Sequence, residues 1–335
     1  MNVDGLEPDS DNVVEVRGTR LQVRTLAPPP GDELCRIATV NDLHIGSTTF
    51  GLLHRMRESP VPEVPHPLRC ARAAVAEALA WGARYLVVKG DLTQKATRAQ
   101  WDSVGDLLAG VPVPVAVVPG NHDVKKEREA DPQPSLARHG LHLVHGVEVV
   151  DLPGVRLLLV DTTTPDQDAG HVAHLQDEVC RLLTRARGAG SPCLVAMHHH
   201  PQRHRFPTFW PPGIPGPEAR RFLDAVAAAN PAALITTGHT HRHRRHRHGP
   251  LTITEVGSTK DYPGTWTGYA VYEGGIRQVV RRVAEPSAIA WTQHTRRAVG
   301  GIWGWWAPGR LEDRCFSVTW PTPGKERAAP ARGGT

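Results

Sequence analysis

The stretch Val117-Val118-Pro119-Gly120-Asn121-His122-Asp123 decides how this chain is read. An apolar run from Val113 to Val118 stops abruptly at Pro119-Gly120, and three side chains able to bind metal, proton or phosphate follow at once. A buried strand that ends in a tight turn delivers the next residues to the edge of a sheet, where α/β proteins place their chemistry. On its own, Gly120-Asn121-His122-Asp123 is equally the composition of an ordinary turn closed by local Asn and Asp hydrogen bonds. The rest of the chain chooses between the two.

Four other apolar runs end in the same manner. Leu34 to Val40 leads into Asp42-Leu43-His44, and Tyr85 to Val88 passes through Lys89 into Gly90-Asp91. Cys193 to Met197 ends at His198-His199-His200-Pro201, and Ala233 to Thr237 ends at Gly238-His239-Thr240-His241. One such ending is commonplace, but a series of them places metal-capable groups along one sheet edge. Carboxylate, imidazole and amide oxygen suit borderline divalent or trivalent ions such as Mn, Fe, Zn or Co, and the absence of Cys argues against a thiolate site. A carboxylate shared between two ions ~3.5–4 Å apart would hold them as a clamp for phosphoryl chemistry.

Helical patterns lie between these runs: Leu68 to Trp81, Ala96 to Leu108, His171 to Arg187 and Glu218 to Ala229. Such alternation predicts an α/β layered fold with parallel strands. Leu141 to Val150 and Val155 to Val160 read as paired strands, and further strands are expected at 242–248, 251–256, 267–273 and 276–283. Residues 1–12 read as disordered, and Val13 to Leu26 as a strand or hairpin. The expected organisation is an N-terminal extension at 1–33, a main domain at 34–284 and a C-terminal extension at 285–335. That last segment holds Trp291, Trp303, Trp305, Trp306 and Trp320, five of the nine Trp, before a frayed tail.

Composition narrows the function. The net charge of +5 suits an anionic substrate without marking a nucleic-acid binder, and 19 His are unusual for 335 residues. Five scattered Cys (Cys35, Cys70, Cys180, Cys193, Cys315) form no CxxC pair and fit a reducing compartment. No signal peptide or membrane-spanning run is visible, so a cytoplasmic protein with no membrane partner is expected.

With Asp42-x-His44, Gly90-Asp91, Gly120-Asn121-His122-Asp123, His198 and Gly238-His239-Thr240-His241 in this order, the chain resembles the calcineurin-like metallophosphoesterases over roughly residues 34–260. Gly90-Asp91-Leu92-Thr93-Gln94 and Met197-His198-His199-His200-Pro201 look most like its class III cyclic-nucleotide phosphodiesterase branch. The resemblance implies a four-layer αββα sandwich of two mixed sheets flanked by helices. It implies two metal ions: Asp42, His44 and His241 on the first, Asn121, His198 and His239 on the second, and Asp91 bridging. His122 would face the substrate and serve catalysis, with Asp123 orienting it. The implied activity is hydrolysis of a phosphodiester, of cyclic-nucleotide or glycerophosphodiester type, or of a phosphomonoester by a metal-bridging hydroxide. The alternatives are a nuclease like the DNA-repair branch, suggested by Asp42-Leu-His-Ile-Gly46, and a non-catalytic binding member. A small phosphate ester is the favoured partner over nucleic acid.

Other residues have plainer readings. His199 and His200 read as outer-layer, substrate-facing or merely exposed residues, with the plain reading favoured, and Asp161-Thr-Thr-Thr164 as structural. Arg242 to His248 reads as a strand with half its charge in water, the other reading being an anion-attracting rim. His54 and His66 sit in a loop that could reach the cleft, Lys125, Lys126 and Arg128 read as solvated charge, and the C-terminal Trp residues as packing.

Overall fold

The computed structural model describes residues 6–16, 18–51, 53, 55–60, 62–125, 128–204 and 211–320. A hairpin of β1 (Asp11–Val16) and β2 (Thr19–Arg24) precedes β3 (Glu33–Asn41) and the short pair β4 (Thr49–Phe50) and β5 (Met56–Arg57). Next come α1 (His66–Ala80), β6 (Tyr85–Lys89), α2 (Arg98–Ala109), β7 (Val115–Val118) and α3 (Pro132–Ala137). The middle of the chain supplies β8 (Val147–Leu152), β9 (Val155–Val160), α4 (Gln176–Gly188), β10 (Cys193–Met197), α5 (Gly216–Ala229) and β11 (Leu234–Thr237). The strands β12 (Arg244–His248), β13 (Leu251–Glu255), β14 (Thr265–Tyr272) and β15 (Gly275–Arg282) follow. Helices α6 (Pro286–Thr295), α7 (Ile302–Trp306) and α8 (Leu311–Arg314) lead to the last strand, β16 (Phe316–Thr319).

Two six-stranded sheets stack face to face, in the orders β16-β15-β14-β3-β6-β7 and β12-β13-β11-β10-β9-β8. Strands β3, β6 and β7 are parallel, as are β9, β10, β11 and β13, while β14, β15 and β16 in the first sheet and β8 and β12 in the second pair antiparallel. The period-two alternation of each buried strand divides its side chains between two cores. In β6, Leu86 and Val88 face α1 and α2, whereas Tyr85 and Val87 face the other sheet. In β10, Val195 and Met197 face α4 and α5, whereas Leu194 and Ala196 face back between the sheets. The result is the αββα sandwich expected from the resemblance.

The structure corrects several sequence expectations. Asp11 and Asn12 are already paired in β1, so the order of the hairpin begins within the segment read as disordered. The run 141–150 is not one strand. Leu143 forms a parallel bridge to Val117 in the first sheet, and the chain then crosses at Gly146 (φ +66°) before β8 begins in the second. The helix expected from His171 starts only at Gln176, because Glu218 takes the backbone N–H groups of Val172 and Ala173 and holds that stretch as a turn. The C-terminal extension is also more than a packed appendage, since β16 closes one edge of the first sheet. His54, Lys126 and the tail from residue 322 lie outside the described residues.

Among the described residues no helix is long and apolar enough to cross a membrane. Between the two sheets, directly below the strand ends, one fully buried polar chain interrupts the apolar layer. Lys89 Nζ donates to Thr236 Oγ1 at 3.1 Å, and Thr236 Oγ1 lies 2.7 Å from Tyr269 OH.

Candidate metal centre

The C-terminal ends of β3, β6, β10 and β11 are sewn together before any side chain is considered. Asp42 N–H donates to Gly90 O at 3.1 Å, His44 N–H to Asp91 O at 2.8 Å and Gly238 N–H to His198 O at 2.9 Å. These tight turns force left-handed backbone on Asp42 (φ 52°), His44 (46°), Asp91 (49°), His239 (72°) and His241 (53°). Such a conformation is uncommon outside glycine and costs about 1–3 kcal/mol per residue. Five such residues where the ends of the two sheets meet, rather than along the edge of one sheet as the sequence suggested, point to a site whose geometry matters more than local comfort.

Strain at this edge is joined by close packing of backbone. Gly90 (φ +78°) touches the second sheet so closely that a Cβ would lie 1.9 Å from His198 Nδ1. At Gly120 a Cβ would meet Asp91 N at 2.2 Å. These glycines are required because the strand ends pass one another at contact distance.

The side chains then converge. Asp91 Oδ2 lies 3.5 Å from His44 Nε2 and 3.5 Å from His198 Nε2, between two groups of donors. On one side, His44 Nε2 is 3.1 Å from His241 Nε2, which is 3.7 Å from Asp42 Oδ1. On the other, His198 Nε2 is 3.1 Å from His239 Nδ1 and 3.4 Å from Asn121 Oδ1. All seven residues expected as ligands are therefore brought together, and all but His241 are fully buried.

The residues fit metal ions in their hydrogen bonding as well. Each of three imidazoles spends the nitrogen facing away from the cluster on an acceptor. His241 Nδ1 donates to Asp261 at 2.6 Å, His239 Nε2 to Pro212 O at 3.0 Å and His198 Nδ1 to Lys89 O at 3.3 Å. That arrangement fixes the tautomer so that, in the neutral imidazole, the inward nitrogen carries the lone pair. Asn121 Nδ2 donates to Asp168 Oδ1 at 3.2 Å, which turns its carbonyl oxygen inward. Asp42 Oδ2 is buried with no hydrogen-bond partner, a costly state for a carboxylate that a cation would relieve.

Charge interactions within the cluster are strong. Burial pushes the Asp42 carboxyl up, against the nearby His241 and His198. Burial would also raise Asp91, but His198 and His122 outweigh it and hold Asp91 well below the carboxylate range. Burial would lower His198, yet Asp91 dominates and raises it to about 9. Lys89, beneath the site, is pushed down to about 7 by burial, opposed by Asp42.

His122 and Asp123 do not work as the sequence reading paired them. The Asp123 carboxylate accepts from Leu92 N–H (3.1 Å), Thr93 N–H (2.9 Å), Thr93 Oγ1 (2.8 Å) and Gly120 N–H (3.0 Å). It clamps the 91–94 and 120–123 turns to each other, and the His122 ring is oriented instead by the Gln94 carbonyl at 3.0 Å from Nδ1. The His122 backbone N–H donates to Asp91 Oδ1 at 2.9 Å, and its ring lies edge-on to His44 at 4.7 Å between centroids. Its nearest ring nitrogen falls within 4.8 Å of the donor atoms of His44 and Asp91, so proximity by itself does not separate it from the ligands.

The plainer residues sort as follows. His199 is fully buried, with Nδ1 2.7 Å from Thr162 Oγ1 and an unpartnered Nε2, and it lies within a donor group with His198 and His239. Its full burial rules out the exposed reading of His199. His66 stacks on Trp291 at 3.8 Å and bonds Glu58, so it is structural. Arg242 and His243 are buried and Arg242 pairs with buried Glu255 at 3.2 Å. Only Arg247 of the 242–248 run is well exposed, because α8 and α5 cover this edge strand.

Sequence reasoning missed Asp261, Asp168 and the Gln94 and Pro212 carbonyls. Asp261 follows Lys260 in an irregular loop, and the Trp-rich segment braces that loop: Trp291 Nε1 donates to Lys260 O at 2.7 Å and Trp303 Nε1 to Tyr262 O at 3.0 Å.

Comparison with known proteins agrees with this architecture. The calcineurin-like phosphoesterase family profile matches residues 35–243. A probable cyclic nucleotide phosphodiesterase of Psychrobacter arcticus is 26% identical over 188 residues, covering 52% of this chain and 62% of that protein. One from Rhodopseudomonas palustris is 28% identical over 152 residues, covering 44% of this chain and 49% of that one. The chain thus spans about half to three-fifths of these relatives' length. Among solved structures, a dimetal phosphatase from Danio rerio superposes with a TM-score of 0.57 at 15% identity, covering 76% of this chain and 98% of that one. A purple acid phosphatase from yellow lupin (Lupinus luteus) seeds gives 0.52 at 12% identity, covering 80% of this chain and 55% of that one. The profile match takes in all the strand ends from Asp42 to His241, and the chain belongs to the calcineurin-like phosphoesterase family.

Proposed function

We propose that this chain is a metal-dependent phosphoric ester hydrolase with a dinuclear centre, acting on a phosphodiester. The observation that carries the reading is the central position of Asp91, whose Oδ2 is 3.5 Å from an imidazole nitrogen of each donor group. Asp42, His44 and His241 would hold one ion, Asn121, His198 and His239 the other, and Asp91 both. Two such ions, when bound, would lower the pKa of water toward neutrality and offset phosphate charge. Nitrogen and oxygen donors without thiolate fit Mn, Fe, Zn or Co.

The chain's own residues do the rest. Asp261, Pro212 and Lys89 hold three imidazoles in the tautomer that points a lone pair inward. With Nδ1–H given to Gln94 O, His122 keeps Nε2 for a substrate oxygen. In its protonated form that nitrogen donates to the negative charge growing on the leaving oxygen, the role of a general acid. Because the His122 N–H rests on Asp91, the acid is positioned from the same carboxylate that both donor groups share. The names of the curated relatives favour a cyclic nucleotide as the diester.

The test is hydrolysis of bis-p-nitrophenyl phosphate and of 3′,5′-cyclic nucleotides with added Mn. Turnover is expected in the unaltered protein and should vanish in Asp91→Ala and Asn121→Ala. Undiminished turnover in either variant would sink the mechanism.

A further inference from the structure

Outside the metal cluster, a cavity of about 420 Å³ lies between the segment from Pro201 to Arg203, helix α5 and strand β12. Its walls include Arg203, Arg220, Arg247, His246 and His248, with Asp224 as the one carboxylate. Asp224 is engaged by His248 Nε2 at 2.6 Å, and its single negative charge is outnumbered by the three arginines of the wall. Among the described residues neither Arg203 nor Arg220 pairs with a carboxylate. The wall also includes Gly216 at the start of α5, a 14-residue helix whose N-cap, Pro215, supplies no side-chain cap. Helix N-termini of this kind favour anions.

His246 is the independent sign of a ligand. Both ring nitrogens are buried, and neither has a hydrogen-bond partner. A neutral imidazole carries one N–H and one lone pair, and leaving both unmet is costly. Its neighbours in the strand are accounted for: Arg242 and Arg244 face Glu255, and Arg245 lies over the Phe316 ring at 4.7 Å. The strand expected to leave half its charge in water therefore directs one part of it to a buried carboxylate and another part to a cavity.

We propose that this cavity is an anion site for a phosphate group, with Arg203 and Arg220 supplying charge and His246 a hydrogen bond. Its size lies in the range of small-ligand pockets, roughly 300–1,000 Å³, so a phosphorylated metabolite fits as well as free phosphate. Arginine forks match phosphate oxygens in pairs, which gives the site its preference over chloride. The inference does not depend on the catalytic reading, since none of its residues belongs to the metal cluster.

The test is calorimetric titration of the full chain, held in EDTA to remove metal, with inorganic phosphate, 5′-AMP and adenosine. Saturable phosphate binding is expected, and it should persist in Asp91→Asn. The double variant Arg203→Ala/Arg220→Ala should weaken it at least tenfold, and His246→Phe, which keeps a planar ring without its polar atoms, should weaken it without lowering the thermal midpoint. If 5′-AMP binds at least tenfold tighter than inorganic phosphate, the occupant is a phosphorylated metabolite; equal affinities identify free phosphate. The proposal is overturned if binding is absent in EDTA, if the arginine double variant binds as tightly as the parent, or if adenosine binds as tightly as 5′-AMP.

Discussion

Replacing Asp261 by Asn isolates the contribution of a residue that touches no proposed metal ligand except His241. Asp261 Oδ2 accepts the His241 Nδ1 proton at 2.6 Å, with Asp261 fully buried and the His241 side chain 14% exposed. Asn keeps an acceptor oxygen of the same reach but removes the charge. A hydrogen bond to a charged group is worth about 1.5–3 kcal/mol and a neutral one about 0.5–1.5 kcal/mol. The difference, about 1–1.5 kcal/mol, corresponds to roughly tenfold in affinity, the lower end of the ~10–100-fold seen when outer partners of metal ligands are changed. The loss should be one-sided. The Asp42/His44/His241 group weakens, while the Asn121/His198/His239 group, which leans on Pro212 and Lys89 carbonyls, stays within about twofold. Titrating metal-free protein with Zn against a chromophoric chelator resolves the two steps. Asp261→Glu, which restores the charge, should recover part of the loss. Lys260 Nζ is 4.0 Å from Asp261, so the thermal midpoint of the metal-free variant is measured alongside to separate misfolding from weakened binding. Two unchanged steps, or two steps weakened equally, would refute the argument.

His122→Ala should keep both metals and lose turnover by roughly 100-fold or more, the usual scale for a lost general acid, whereas His239→Ala should lose metal; elemental analysis of both variants decides, and loss of metal from His122→Ala would make it a ligand. Asp123→Asn should destabilise the fold by about 3 kcal/mol or more, since two of four hydrogen bonds to a carboxylate are lost; urea unfolding reads this, and a change in turnover with unaltered stability would restore Asp123 to a direct role. Metal affinity should climb with pH. His198, raised to about 9 without metal, must give up its proton to bind, so apparent affinity rises up to about tenfold per pH unit between pH 6.5 and 9. The same proton stabilises the metal-free fold fully below about 6.5, and that stabilisation fades as pH rises through about 9. A flat affinity profile would remove His198 from the ligand set.

The residues that could be read in the sequence share one property: they sit where an apolar run meets Gly or a polar cluster. Asp42, Asp91, Asn121, His198 and His239 were legible because strand period and punctuation are local signals. Asp261 was not, because it enters from an irregular loop 20 residues beyond His241 with no periodic pattern around it. Asp123 was visible as a residue but not in its role, since its four donors are three backbone N–H groups, of Leu92, Thr93 and Gly120, and the Thr93 hydroxyl, which only the folded turns bring near. The run 141–150 misled because one apolar stretch serves two sheets in turn, and hydrophobic pattern carries no sheet identity. His199 was underestimated for a related reason. Alternation along a strand predicts opposite faces, but past the strand end at Met197 that rule no longer applies, and His199 turns in beside His239 with ring centroids 4.6 Å apart.

The two sheets contribute unequally to the cluster, and this bears on how the chain acquires metal as it is made. Asp42, His44, Asp91 and Asn121 follow strands of the first sheet, while His198, His239 and His241 follow strands of the second. A nascent chain that has reached Asn121 offers two carboxylates, one amide and one imidazole, a set rich in oxygen that suits Mg or Ca as well as Mn. The three later imidazoles shift the set toward Mn, Fe, Zn or Co. On the proposed ligand set, the choice of metal would be deferred until the last strands dock, and an ion met early would be held at an unfinished site where discrimination is poor.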